Sequence, residues 1–154
     1  MGIEKDIQQR QFRNEFQKAT VNLIFSANWL QEKIKQFLDS EGITLQQFNI
    51  LRILRGSSKP LSTLQIRERM LDKMSDTSRI AERLLKKALV EKKVSATDKR
   101  LVDISITEKG LEALKRLDER RNEMDNILAT LTEEEAIVLN TLLDKMRTCT
   151  ASVH

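Results

Sequence analysis

The stretch SDTSRIAERLLKKALVEKKVSATDKRLVDISITEKG, residues 75–110, changes its hydrophobic period halfway along, and that change decides the fold. In its first half Ile80, Ala81, Leu84, Leu85 and Ala88 recur at helical spacing, predicting a helix that runs to about Leu89. Ser75, Asp76, Thr77 and Ser78 offer several N-caps, because short polar side chains accept from the free N–H groups of a first turn. In the second half Val102, Ile104 and Ile106 alternate with Asp103 and Ser105, after a shorter run from Lys92 to Ala96. A period of two is that of half-buried strands, so a β-hairpin is expected, with Thr97-Asp98-Lys99-Arg100 as its polar, basic tip.

Upstream, Thr44 with Gln47 has the spacing of a capping box and opens a helix that turns Leu45, Phe48, Leu51 and Leu54 inward before Gly56-Ser57-Ser58. Ser62 with Gln65 repeats the signal after Pro60 and opens a short helix with Leu64, Ile66, Met70 and Leu71. Three short helices followed by a hairpin is the order of a winged helix-turn-helix.

Long helices flank this unit. From Glu4 to about Ser40 nothing breaks a helix, and about 35 residues at 1.5 Å each reach ~50 Å, longer than a domain this size is wide. Part of that length is expected to pack on another copy. After Thr107 a helical period resumes with Leu111, Leu114, Leu117, Met124 and Ile127, and a third capping box, Thr132 with Glu135, opens a last helix carrying Leu139, Leu142, Leu143 and Met146. The expected architecture is mainly α with a small β-hairpin. It has one domain over residues 1–154, a winged helix-turn-helix lobe at 44–110, and dimerisation helices at 4–40 and 111–150.

With 154 residues, 40% hydrophobic and 32% charged, the chain has the composition of a folded helical protein. Its single cysteine, Cys149, excludes an intramolecular disulfide framework and suits a reducing interior. The charged opening MGIEKDIQQR and the lack of an apolar run of about 18 residues speak against a signal peptide and a membrane span, so a cytoplasmic location is expected. The net charge of +4 is concentrated between Ser75 and Arg100. There Arg79, Arg83, Lys86, Lys87, Lys92, Lys93, Lys99 and Arg100 face only Asp76, Glu82, Glu91 and Asp98. A local basic stripe on an otherwise balanced chain is the footprint of a nucleic-acid binder.

On the helix at the centre of that stripe, Asp76, Arg79, Glu82, Arg83 and Lys86 share the face opposite the apolar one. The hydroxyls of Thr77 and Ser78, near the helix N-terminus, suit bases or phosphate oxygens. Arg79 and Arg83 carry the paired donors that match the O6 and N7 edge of guanine. A solvated amphipathic face explains most such helices taken singly. The hairpin tip that follows, with Lys99 and Arg100, shifts the balance, since a guanidinium on a narrow arm suits the negative potential of the minor groove.

Residues 94–110 resemble the wing of the multiple antibiotic resistance regulator (MarR) family, with its Asp-x-Arg tip and closing (Leu)-Thr-x-x-Gly, here with Ile106 in the leucine place. Leu45, Phe48 and Leu54, the helix from Leu61 to Met70, and Arg79-Ile-Ala-Glu-Arg-Leu-Leu-Lys-Lys-Ala-Leu-Val90 fit the rest of that lobe, and the flanking helices fall where the family builds its dimer. The resemblance implies that Asp98 braces the wing and Arg100 enters the minor groove. It places Thr77, Ser78, Arg79 and Arg83 in or beside the major groove of double-stranded DNA. Ser75, Asp76, Lys86 and Lys99 complete the candidate DNA-contacting set.

The resemblance further implies a homodimer on a near-palindromic operator, acting as a repressor or activator. It also implies a possible small aromatic or phenolic effector, for which Phe25, Trp29, Phe48 and Met70 are candidate lining residues. Core packing is the plainer reading of those four. One departure stands out: Ala88 occupies the place where the family usually has glycine, and alanine is strained at positive φ, so a differently shaped helix end is open there.

Three other readings stand beside this one. A winged-helix adaptor could turn the same basic stripe to an acidic protein partner. An enzyme is opposed by the inventory: His154 is the only histidine, tyrosine is absent, and Cys149 has no histidine partner. Glu133-Glu134-Glu135 needs no metal to explain it, because a helix dipole favours acids in its first turn, and no cofactor is expected. A redox switch is disfavoured, since some MarR relatives carry their sensing cysteine near the N-terminal helix and this chain has none there.

Overall fold

The computed structural model describes residues 2–148. Cys149 and His154 lie outside the described residues. The chain divides into two compact units, one running to Arg120 and the other starting at Arg121.

The first unit opens with α1 (Ile3–Asp6) and α2 (Glu15–Leu38). The expected unbroken helix from Glu4 is therefore two elements. Gln8 takes a left-handed φ of 55° between them, and the Asn14 side chain caps α2 by accepting the Gln17 N–H at 2.8 Å. Asn14-x-x-Gln17 is a capping signal just ahead of the apolar repeat that starts at Phe16, and with no glycine or proline between Glu4 and Ser40 no breaker marks the interruption.

A 3₁₀ turn (Asp39–Glu41) leads to α3 (Leu45–Arg55), whose Thr44–Gln47 capping box forms as expected. Strand β1 (Leu61–Ser62) precedes α4 (Thr63–Arg69), and the Ser62–Gln65 box caps that helix. Then come α5 (Thr77–Lys86), the wing strands β2 (Val90–Val94) and β3 (Val102–Ile106), and α6 (Glu108–Glu119).

The sheet is antiparallel in the order β1-β3-β2. Wing register pairs Val90 with Ile106, Lys92 with Ile104 and Val94 with Val102, while Leu61 of β1 faces Ile104. The third strand was not expected, and its two residues are too short for a period to show. β2 also begins earlier than the expected Lys92 and stops at Val94. The buried Ser95 hydroxyl accepts the N–H of Thr97 at 3.3 Å and of Asp98 at 3.4 Å, turning the chain out of the strand.

Leu38, Ile50, Leu51, Leu61, Ile66, Leu84, Ile104 and Leu114 are fully enclosed and form one core drawn from α2, α3, β1, α4, α5, β3 and α6. Each such side chain stabilises the fold by about 1.5–3 kcal/mol relative to exposure. Of the apolar residues placed on the short helix, Ile66 and Met70 are buried, whereas Leu64 and Leu71 are exposed.

The second unit holds α7 (Arg121–Asp125), a 3₁₀ turn (Asn126–Leu128) and α8 (Glu133–Arg147), capped by the Thr132–Glu135 box. α8 buries no residue and exposes Ile137, Val138, Leu139, Leu142 and Met146. Among the described residues no helix is long and apolar enough to cross a membrane. Nor do three His, Cys, Asp or Glu side chains gather in a way that could hold a metal ion.

Candidate nucleic-acid interface

The first turn of α5 is fixed by Asp76, whose carboxylate accepts the Arg79 N–H at 3.1 Å while its carbonyl accepts from Ile80 at 3.1 Å. Ser78, Arg79, Glu82, Arg83 and Lys86 then face solvent, as the spacing predicts. Thr77 does not. It is only 4% exposed, so its side chain lies beneath the outward face, and its hydroxyl has no hydrogen-bond partner among the described residues. Ser75, half-buried, uses its hydroxyl to donate to the Asp72 carbonyl at 2.7 Å and shapes the preceding turn.

Among the described residues Arg79, Arg83 and Lys86 have no ion-pair partner, whereas Glu82 is paired with Lys92 of β2. The one acid in the middle of the helix face is thus neutralised from the wing, and the cations beside it stay available. Sequence spacing along α5 gave no hint of this pair, because Lys92 reaches it from another element.

The C-terminal end of α5 joins the helix to the wing. Leu89 donates its N–H to the Leu84 carbonyl at 3.1 Å and Ala88 to the Leu85 carbonyl at 3.0 Å, the paired bonds of a Schellman end. Ala88 sits at φ 59°, so the glycine-type end is kept with alanine in place, against the expectation of a different shape.

Thr107 donates its hydroxyl to the Ala88 carbonyl at 2.7 Å and accepts the Gly110 N–H at 3.2 Å. A Cβ on Gly110 would overlap the Leu89 carbonyl oxygen and lie 2.7 Å from Ile106 Cγ1. The closing Thr-x-x-Gly of the wing therefore has a physical basis: threonine caps α6 and glycine lets α6 approach the end of α5.

At the wing tip Asp98 holds Arg100 in a fork. Nε donates to Oδ1 at 3.1 Å and a terminal nitrogen to Oδ2 at 3.3 Å, with the Arg100 backbone N–H on Oδ1 at 3.0 Å. The Arg100 guanidinium, and behind it the Arg100 backbone N–H, holds the Asp98 carboxyl below the ordinary aspartate value. Even so, the Arg100 side chain remains 89% exposed.

Two grooves border these elements. A cleft of about 510 Å³ lies between α4 and the start of α5, lined by Leu64, Arg67, Met74, Asp76 and Ser78 among others. A second, of about 290 Å³ and mostly apolar, lies among α2, α3 and the end of α4, with Leu30, Ile34, Leu45 and Met70 on its walls. Of the four residues considered for an effector, only Met70 lines this second groove. Phe25 and Trp29 are exposed on α2, and Phe48 stacks under the Arg52 guanidinium at 5.6 Å. The helical period marked the right elements there, but not the face that meets α3.

A sequence model of the MarR family matches residues 41–101, from the turn before α3 through the wing tip. The HTH-type transcriptional repressor MdtR of Bacillus subtilis (strain 168) is 30% identical over 109 residues, 70% of each chain. The chain belongs to the MarR family.

It is a winged-helix DNA-binding transcription regulator, and its family is one of regulators rather than enzymes. Solved MarR-type structures share the fold. A mutant MarR from E. coli complexed with operator DNA superposes with a TM-score of 0.80 at 20% identity, covering 90% of this chain and 99% of that one. The organohalide-sensing RdhR regulator in its 2,4-dichlorophenol-bound form gives 0.78 at 23% identity, covering 92% and 88%.

Proposed function

We propose that this MarR-family chain is a repressor that works in the cytoplasm as a homodimer on a near-palindromic operator. The observation that carries the reading is the charge arrangement on α5 and the wing: Arg79, Arg83 and Lys86 on the helix, without ion-pair partners among the described residues, and an exposed Arg100 held in a fork by Asp98. Arg79 and Arg83 read base edges in the major groove, Ser78 and Lys86 bind phosphates, and Lys99 and Arg100 enter the minor groove. Thr77, with its side chain enclosed, contributes through its backbone N–H at the positive end of α5.

Dimerisation is supported by exposed Phe16, Ile24 and Trp29 on α2, and by exposed Ile137, Val138 and Leu142 on α8. Apolar side chains in such number along two helices are the usual sign of an unfilled interface. Two reading helices must enter successive major grooves, so half-sites about 34 Å apart are expected. The repressor sign is supported by the name of the MdtR relative. Release by a small aromatic or phenolic effector is supported by the apolar groove at Met70 and by the chlorophenol bound to RdhR.

The test is selection of duplexes from a random and genomic pool at two salt concentrations. A palindromic site bound tightly, with affinity falling steeply as salt rises, is the expected result. Weak binding indifferent to sequence would overturn the reading in favour of a protein–protein adaptor.

A further inference from the structure

The cleft ahead of α5 is of mixed polarity: Leu64 and Met74 are its two apolar side chains, set among Thr63, Ser75, Thr77 and Ser78, with one arginine, Arg67, and one carboxylate, Asp76, on its lining. Leu64, in the first turn of α4, is 65% exposed, and Met74, in the turn before α5, is 93% exposed. Scattered exposed apolar residues are ordinary on protein surfaces. These two share one cleft at the N-terminal end of the reading helix, the end that meets base edges in helix-turn-helix proteins. Arg67 lines the same cleft and Arg79 follows one residue after Ser78, both without an ion-pair partner among the described residues.

The turn that carries Met74 is pinned rather than loose. Asp72 Oδ1 accepts the Met74 N–H at 2.9 Å, the Asp72 carbonyl accepts the Ser75 hydroxyl at 2.7 Å, and Asn49 Oδ1 accepts the Leu71 N–H at 2.9 Å. The Met74 side chain is therefore held out from a fixed backbone.

A duplex edge presents one apolar group in its major groove, the C5-methyl of thymine. We infer that the cleft walled by Met74 and Leu64 is a thymine-methyl receptor that gives this regulator part of its sequence specificity. The inference rests on the DNA-reading role proposed above. Arg67 and Arg79 draw the phosphate-lined duplex in, Ser78 offers a hydroxyl to a neighbouring edge, and the two apolar walls remove one methyl from water. Burying a methyl is worth about 0.8 kcal/mol, or about fourfold in affinity.

The experiment uses the full chain and the operator recovered by selection, replacing each thymine by uracil one position at a time to delete only the methyl. The expected result is a thymine in each half-site whose replacement weakens native binding about fourfold, while the Met74→Ala/Leu64→Ala double variant loses less than twofold at that position. Lys86→Ala should bind all duplexes more weakly yet keep the uracil penalty, separating methyl recognition from general affinity. A flat uracil scan with the native protein, or an equal penalty in the double variant, overturns the inference and leaves the DNA-reading role standing. Failure to recover any preferred sequence overturns that role itself, and this inference with it.

Discussion

Thr107 and Ala88, 19 residues apart, share a hydrogen bond of 2.7 Å that ties the entry of α6 to the left-handed end of the reading helix. The bond places the capping residue of α6, which directly follows the wing's exit strand, against the C-terminus of α5, and Gly110 fits beneath the same junction. Pose of the wing and pose of the helix are thereby set together.

Gly110→Ala tests the tightness of that junction. The added methyl meets a backbone carbonyl and a packed Ile106, neither of which can swing aside as a flexible tip would. A loss of about 1–3 kcal/mol in unfolding free energy is expected from overpacking at a fixed site, measured by urea denaturation.

Ala88→Gly should do the opposite. Alanine at φ 59° bears a left-handed strain of about 1–2 kcal/mol that glycine does not, offset in part by glycine's greater freedom when unfolded. A net gain of about 0.5–1 kcal/mol in the same denaturation experiment is expected.

Glu41 and Arg116 provide a pH test within the first unit. The guanidinium donates to both carboxylate oxygens, at 3.1 Å and 3.0 Å from Nε and 2.7 Å from a terminal nitrogen. Arg116 thereby holds the Glu41 carboxyl below its ordinary value of 4.5. A carboxyl lowered on folding contributes stability that is complete above the ordinary value and is lost as pH falls through the lowered one. Native protein should thus be more stable than Glu41→Gln at pH 7, with the difference vanishing in acid. A difference independent of pH would show that the ion pair is not its source.

Asp98 offers a local titration. NMR of its carboxyl should show a pKa below the ordinary 3.8 in the native chain, returning towards that value in Arg100→Ala. The same substitution should weaken operator binding and lower the salt slope, because a minor-groove cation is removed.

On the reading helix, Arg83→Ala should cost about 1–3 kcal/mol of operator affinity and relax the preference at one base position. Lys86→Ala should weaken all duplexes alike and reduce the salt slope by about one. Electrophoretic or fluorescence titration at several salt concentrations separates the two.

The winged-helix lobe was legible because its signals are local. The capping boxes at Thr44, Ser62 and Thr132 and the shift of period between Leu85 and Val102 are written in neighbouring residues; the capped helices start where they indicated, while α5 ends at Lys86 and β2 already begins at Val90. The outward cations of α5 follow from helical spacing alone. What stayed hidden depends on partners distant in the chain. The pairing of Leu61 with Ile104, the hold of Lys92 on Glu82 and the burial of Thr77 are all decided by the packing of other elements. The break after α1 escaped for a different reason, since no glycine or proline marks it and the only local signal is the cap at Asn14.

The Glu82–Lys92 pair sets the size of the portable piece in this protein. A reading helix grafted in with no acid at the place of Glu82 would leave Lys92 without its partner, an orphaned ammonium beside the new base contacts. Altered target preference in such a chimera would then report the stranded lysine as much as the transplanted side chains. The natural cassette for exchange is helix and first wing strand taken together, with both ends of the pair travelling in one segment.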